Sequence, residues 1–134
     1  MMRRIPPLIR NKLQSTALLV LLLAGCSTGP RRAADVEPEK ARDALRTALE
    51  SWKKGDKPAA LQQRSPAITV QDMDWESGAR LMSYELKDEG TAYDANLYCT
   101  VQLTLRPAQG PEVKKEVTYI VGTSPVLTVF RKLF

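Results

Sequence analysis

Asn96-Leu97-Tyr98-Cys99-Thr100-Val101-Gln102-Leu103-Thr104-Leu105-Arg106 alternates apolar and polar side chains over its whole length. Side chains on a strand point to opposite faces in turn, so Leu97, Cys99, Val101, Leu103 and Leu105 share one face and the polar residues the other. One side of this strand is core. Pro107-Ala108-Gln109-Gly110-Pro111 then reverses the chain, and Val113, Val117, Tyr119 and Val121 follow with period two. Gly122-Thr123-Ser124-Pro125 turns it again before an apolar run from Val126 to Phe130. On the N-terminal side, Asp88-Glu89-Gly90 closes a β-like run from Ala79 to Leu86, whose inward face the pattern leaves open, and Ile68 and Val70 flank the polar Thr69. Strands joined by short turns imply an antiparallel meander of about four strands, with an apolar face that needs a cover.

The cover is a long N-terminal amphipathic helix. Asp35 or Glu37 caps it, Pro38 fits its first turn, and the acids at 35, 37 and 39 suit the positive end of the helix dipole. Ala41, Ala44, Leu45, Ala48, Leu49 and Trp52 recur at helical spacing and lay down one apolar stripe. Lys53 and Lys54 occupy the last turn, and Gly55 supplies a left-handed cap. Asp56 then caps a short second helical stretch through Pro58 and Leu61, which stops before Ser65-Pro66. The expected fold class is α+β, one long helix and one short one on an antiparallel sheet.

The first 25 residues carry a different message. Arg3, Arg4, Arg10 and Lys12 precede an apolar run from residue 16 to 24, and Ala24 and Gly25 form a small-residue processing site. This is the layout of a secretory signal, and the run is about half the roughly 20 residues that a membrane-spanning helix needs. Arg3-Arg4 lacks the rest of a twin-arginine pattern. Leu23-Ala24-Gly25-Cys26 resembles the bacterial lipobox at every position. The resemblance implies that residues 1–25 are removed and that Cys26 becomes a lipid-bearing N-terminus, with a diacylglyceryl group on sulfur and a palmitate-type chain on the amine. Two or more chains hold a protein on a bilayer essentially permanently. Ser27 beside the cysteine, in place of Asp, implies transfer to the outer membrane, facing the periplasm, where the envelope has two membranes. Residues 26–34, small and polar with a Gly-Pro, read as a tether, and 35–134 as a single domain.

The mature chain keeps 16 Lys and Arg against 15 Asp and Glu, so its side chains are close to neutral and show no basic patch of the kind that binds nucleic acid. There is no histidine. That removes Ser-His-Asp and Cys-His catalysis and most zinc sites. With Cys26 lipidated, Cys99 has no disulfide partner, and its place on the inward face marks it as a buried, inert thiol.

The helix, the Trp52-Lys53-Lys54-Gly55-Asp56 junction, the short second helix and the sheet resemble the nuclear transport factor two-like superfamily, or the related cystatin-like helix-on-sheet arrangement, over residues 36–130. Members include enzymes, ligand binders and association domains, so the resemblance does not choose a function. The chain is one helix short of full cone-shaped members, and it lacks the Gln-x-Val-x-Gly loop of cystatin-type inhibitors.

Three constellations remain. Asp72, Asp74 and Glu76 share a face if their segment is extended, which makes them a calcium candidate, but glycine and the closing acid fall at the wrong positions of a calcium loop; a charged strand edge is the plainer reading. Tyr84, Tyr93, Tyr98 and Tyr119 with Asp74 or Asp94 supply the residue types of a proton-shuttling pocket, with no spacing that makes any pair converge. Trp52 belongs to the apolar stripe, whereas Trp75 is flanked by acids and is the candidate aromatic contact for a partner. No catalytic residue, cofactor or metal is assigned. The expectation is a lipid-anchored envelope protein whose domain binds another envelope protein or its own copy. The alternative is a small-ligand binder or histidine-free enzyme with a pocket between helix and sheet, lined by Trp52, Tyr84 and Tyr119.

Overall fold

The computed structural model describes residues 34–134; the expected leader, Cys26 and the expected tether up to residue 33 lie outside the described residues. The described chain is α+β. Helix α1 runs over Pro38–Lys54, and Gly55 ends it at φ +94°, donating its N–H to the Trp52 carbonyl at 2.9 Å. Glu37 occupies the capping position without a side-chain cap bond. The chain before α1 is pinned through its backbone instead: the Val36 N–H donates to the Asp94 carbonyl at 3.1 Å and the Glu37 N–H to Thr123 Oγ1 at 3.1 Å. The buried face of α1 holds Ala41, Ala44, Leu45, Ala48, Leu49, Ser51 and Trp52. A 3₁₀ turn follows over Pro58–Gln63 with Lys57 before it, and Asp56 accepts from the Ser51 hydroxyl rather than capping that turn.

The sheet has six strands: β1 (Ile68–Gln71), β2 (Arg80–Leu86), β3 (Thr91–Tyr93), β4 (Asn96–Arg106), β5 (Val113–Gly122) and β6 (Leu127–Arg131). Their order is β1-β6-β5-β4-β2, with β3 also paired to β4. The antiparallel meander of about four strands is corrected in two ways. The sheet is larger, and it is mixed, because β1 lies parallel to β6 in the register Ile68 to Leu127 and Val70 to Val129. A four-residue strand shows its alternation in sequence but not its partner, and here the partner comes from the far end of the chain.

Leu97, Cys99, Val101, Leu103 and Leu105 of β4 are all buried, with exposures of at most 1%. Antiparallel pairing brings Tyr119 and Val121 of β5 to the same face opposite Cys99 and Leu97, and Val129 of β6 joins opposite Val121. β2 explains why its inward face could not be chosen from sequence. The register shifts between Leu81 and Ser83, so Leu81 pairs with Leu105 while Tyr84 and Leu86 pair with Leu103 and Val101. Odd positions face the core before the bulge and even positions after it, and no strict alternation describes both halves. Among the described residues no helix is long and apolar enough to cross a membrane.

Candidate functional site

Asp72 closes β1 and opens α2 (Met73–Glu76), a single helical turn. Its Oδ1 accepts the backbone N–H of Asp74 at 2.9 Å and of Trp75 at 3.2 Å, satisfying donors that a helix start leaves open. This corrects the extended reading of residues 72–76. Once the segment turns, Asp72, Asp74 and Glu76 no longer share a face, and the segment is not a strand edge. The carboxylates meet cations instead. Arg131 Nη1 donates to Asp72 at 3.0 Å, Arg131 Nη2 to Asp74 at 2.7 Å, and Lys115 Nζ to Asp74 at 3.0 Å. Tyr119 donates its hydroxyl to the other oxygen of Asp72.

Two carboxylates and two cations thus close a charge-balanced knot, with Asp72 2% exposed. Burial pulls the Asp74 carboxyl upward, but the hydrogen bonds and charges of Arg131 and Lys115 outweigh it and leave its pKa below the usual carboxylate value. Burial and the neighbouring Asp72 charge push the Tyr119 hydroxyl far above the ordinary tyrosine range, so it remains a donor. Among the described residues no buried side-chain nitrogen or oxygen lacks a hydrogen-bond partner.

The knot has a consequence on its other side. By holding α2 it lays Trp75 on Trp52 from the last turn of α1, with ring centroids 5.3 Å apart and planes 7° from parallel. Each indole N–H is spent internally: Trp52 Nε1 donates to the Ala79 carbonyl at 2.8 Å and Trp75 Nε1 to the Asp56 carbonyl at 2.8 Å. The acids flanking Trp75 therefore do not keep it outside, and it is only 6% exposed. The pair lines an open groove of about 870 Å³ together with Asp56, Lys57 and Ala59 from the chain after α1 and Glu76, Gly78 and Arg80 from the chain after α2.

Trp52 and Trp75 are brought together, and the tyrosines are not. Tyr84 donates to Glu50 at 2.7 Å on the helix surface, its hydroxyl pushed up to about 12 by burial and by the Glu50 charge. Tyr119 lies in the core with its hydroxyl committed to Asp72, and Tyr93 is 68% exposed. Trp52 lines the groove at the end of α1 and Tyr84 a separate shallow depression on β2 and β4, and Tyr119 reaches neither. Arg131 as the counter-charge of Asp72 and Lys115 as a counter-charge of Asp74 leave no mark in the local sequence pattern. For Asp72 as a cap, the Asp72-x-x-Trp75 spacing before a Ser-Gly pair is the available signal. No family model, curated protein or solved structure matches this chain.

Proposed function

We propose that this is a lipid-anchored protein of the bacterial envelope whose domain is a non-catalytic binding module, with the Trp52–Trp75 groove as its binding face. The lipobox Leu23-Ala24-Gly25-Cys26 supports the anchor, and Ser27 supports an outer-membrane address in a two-membrane envelope. The observation that carries the binding reading is the position of the groove relative to the root of the tether. The chain enters the domain at the N-terminal end of α1, beside Asp94 and Thr123, while the groove forms at its C-terminal end, around Trp52 and Asp56. Seventeen helical residues at 1.5 Å each separate the two ends by about 25 Å. The groove therefore lies at the end of α1 opposite the one at which residue 34 enters the domain. An aromatic floor with polar walls is a common form of recognition site.

Two measurements test this. Intact-mass analysis of the protein from its native envelope should show loss of residues 1–25 and gain of acyl chains, and an unmodified full-length chain removes the anchor. A photo-crosslinking residue in place of the exposed Ala59 should give a discrete protein adduct in the envelope, while the same residue at Thr104, in β4, should not. A small metabolite retained in fixed ratio, with no adduct at Ala59, favours the ligand-pocket alternative instead.

A further inference from the structure

The core and α1 lie on one face of the sheet, and the other face is sorted by charge along its length. Its first cross-strand row holds Tyr93, Asn96, Gly122, Thr128 and Thr69. The next holds Thr91, Tyr98, Ile120, Phe130 and Gln71. Neither row contains a charged side chain. Further along, Glu85 and Glu116 flank Gln102, Lys114 stands opposite Thr104, and Arg80 opposite Arg106. Tyr98, Ile120 and Phe130 are partly exposed, none of them belongs to the core or packs against it, and Tyr93 is 68% exposed. A contiguous apolar patch bounded by charge marks an interaction surface.

The chain enters the domain at the charge-free end of this face. Val36 is held by the turn that joins β3 to β4, through the Asp94 carbonyl, and Glu37 by the turn that joins β5 to β6, through Thr123. Val126, on the second of these turns, is 57% exposed. Cys26 precedes residue 34 by eight positions, a reach of at most about 28 Å. From this placement we infer that the charge-free end, with Tyr93, Tyr98, Ile120, Phe130 and Val126, rests on the bilayer that carries the Cys26 anchor. The inference rests on the proposed anchor and adds how the domain sits on its membrane. An apolar contact too weak to hold a free domain becomes favourable once a tether concentrates it at the surface. Tyrosine suits that interface, because its ring is apolar and its hydroxyl stays in water. Asp35, Glu37 and Asp94 lie at the same end, so anionic headgroups are not what draws it down.

The test uses the full-length lipidated protein in phosphatidylcholine vesicles whose acyl chains carry nitroxide quenchers. With Cys26 acylated and Cys99 fully buried, a thiol added on the surface is the one that takes a fluorophore. Thr91→Cys and Val126→Cys place it at the charge-free end, and Lys114→Cys at the charged end of the same face. Labels at 91 and 126 should be quenched several-fold more than the label at 114, and added salt should not reverse this. Tyr93→Asp, at an exposed position, should bring quenching at 91 and 126 down to the level at 114 while the melting temperature is kept, which separates lost docking from lost folding. Equal quenching at all three positions in acylated, vesicle-bound protein overturns the inference and leaves the anchor standing. A photo-crosslinker at 91 that captures a second copy or another protein, without quenching by lipid, assigns the face to that occupant and overturns the inference as well. Protein that carries no acyl chain and does not float with the vesicles removes the anchor and the inference together.

Discussion

The Arg131 guanidinium lies 3.0 Å from the Asp72 carboxylate although 59 positions separate them, and the Asp72 side chain is 1% exposed. Removing one partner of a buried pair leaves the other charged and desolvated, which costs about 3–5 kcal/mol. Arg131→Met keeps most of the stem and deletes the charge, so urea denaturation should show a loss of that size. Tyr119→Phe deletes one donor to Asp72 and should cost about 1–3 kcal/mol. A change below about 1 kcal/mol for Arg131→Met would show that water, and not Arg131, solvates Asp72.

Acid stability should depend on Asp74. Its pKa is held below the usual 3.8 by Arg131 and Lys115 against the opposing effect of burial. A carboxylate with a lowered folded pKa contributes stability that is fully present above its unfolded value and is lost as pH falls through the lowered one. Wild type should therefore lose more melting temperature than Asp74→Asn when pH is taken from about 6 to about 3. Parallel curves for the two proteins refute this assignment.

These interactions show where sequence reasoning stopped. The alternation in residues 96–106 could be read directly, because burial on one face is a local property and all five inward side chains obey it. The β2 bulge could not, since a single extra residue between Leu81 and Ser83 reverses the phase partway along the strand, and it shows only in the register with β4. The parallel β1–β6 pairing and the Asp72–Arg131 contact join segments about sixty residues apart, and neither leaves a periodic trace. Trp75 was misplaced for the same reason: its flanking acids look like a solvent-facing run until Arg131 and Lys115 arrive to neutralise one of their number and Asp72 turns the chain.

Two glycines with similar backbone angles should respond differently to alanine. Gly90 has φ +91°, and an added Cβ would stand 2.8 Å from Leu97 Cγ and 2.9 Å from Cys99 Sγ. Gly78 has φ +94° with nothing within 4 Å. Gly78→Ala should cost about 1 kcal/mol of backbone strain, and Gly90→Ala about 2–3 kcal/mol because the core must also move. Equal losses in a denaturant series would mean that Leu97 and Cys99 shift freely and that this corner of the core is loosely packed.

The tryptophan stack should be a stability element as well as a floor. Trp75→Ala empties the space beneath α2 and unpairs the Asp56 carbonyl, for an expected loss of about 3–5 kcal/mol and of the near-UV circular dichroism of the stacked indoles. Ala59→Phe, at an exposed position on the groove wall, should leave both unchanged within about 0.5 kcal/mol. If Ala59→Phe also unfolds the domain, the groove wall is part of the core and not an open surface.

Cys99 is 0% exposed, and burial together with the Asp88 charge pushes its thiol up to about 11. The thiolate is the reactive form, so at pH 8 the side chain is both protonated and out of reach. Labelling by an aromatic disulfide reagent should then proceed only as fast as the domain opens. It should accelerate in step with denaturant and in Gly90→Ala, whose added methyl presses on the sulfur. Fast labelling of the native protein, independent of both, would place the sulfur at an opening on the surface and contradict its position between Leu97 and Val101 on the inward face of β4.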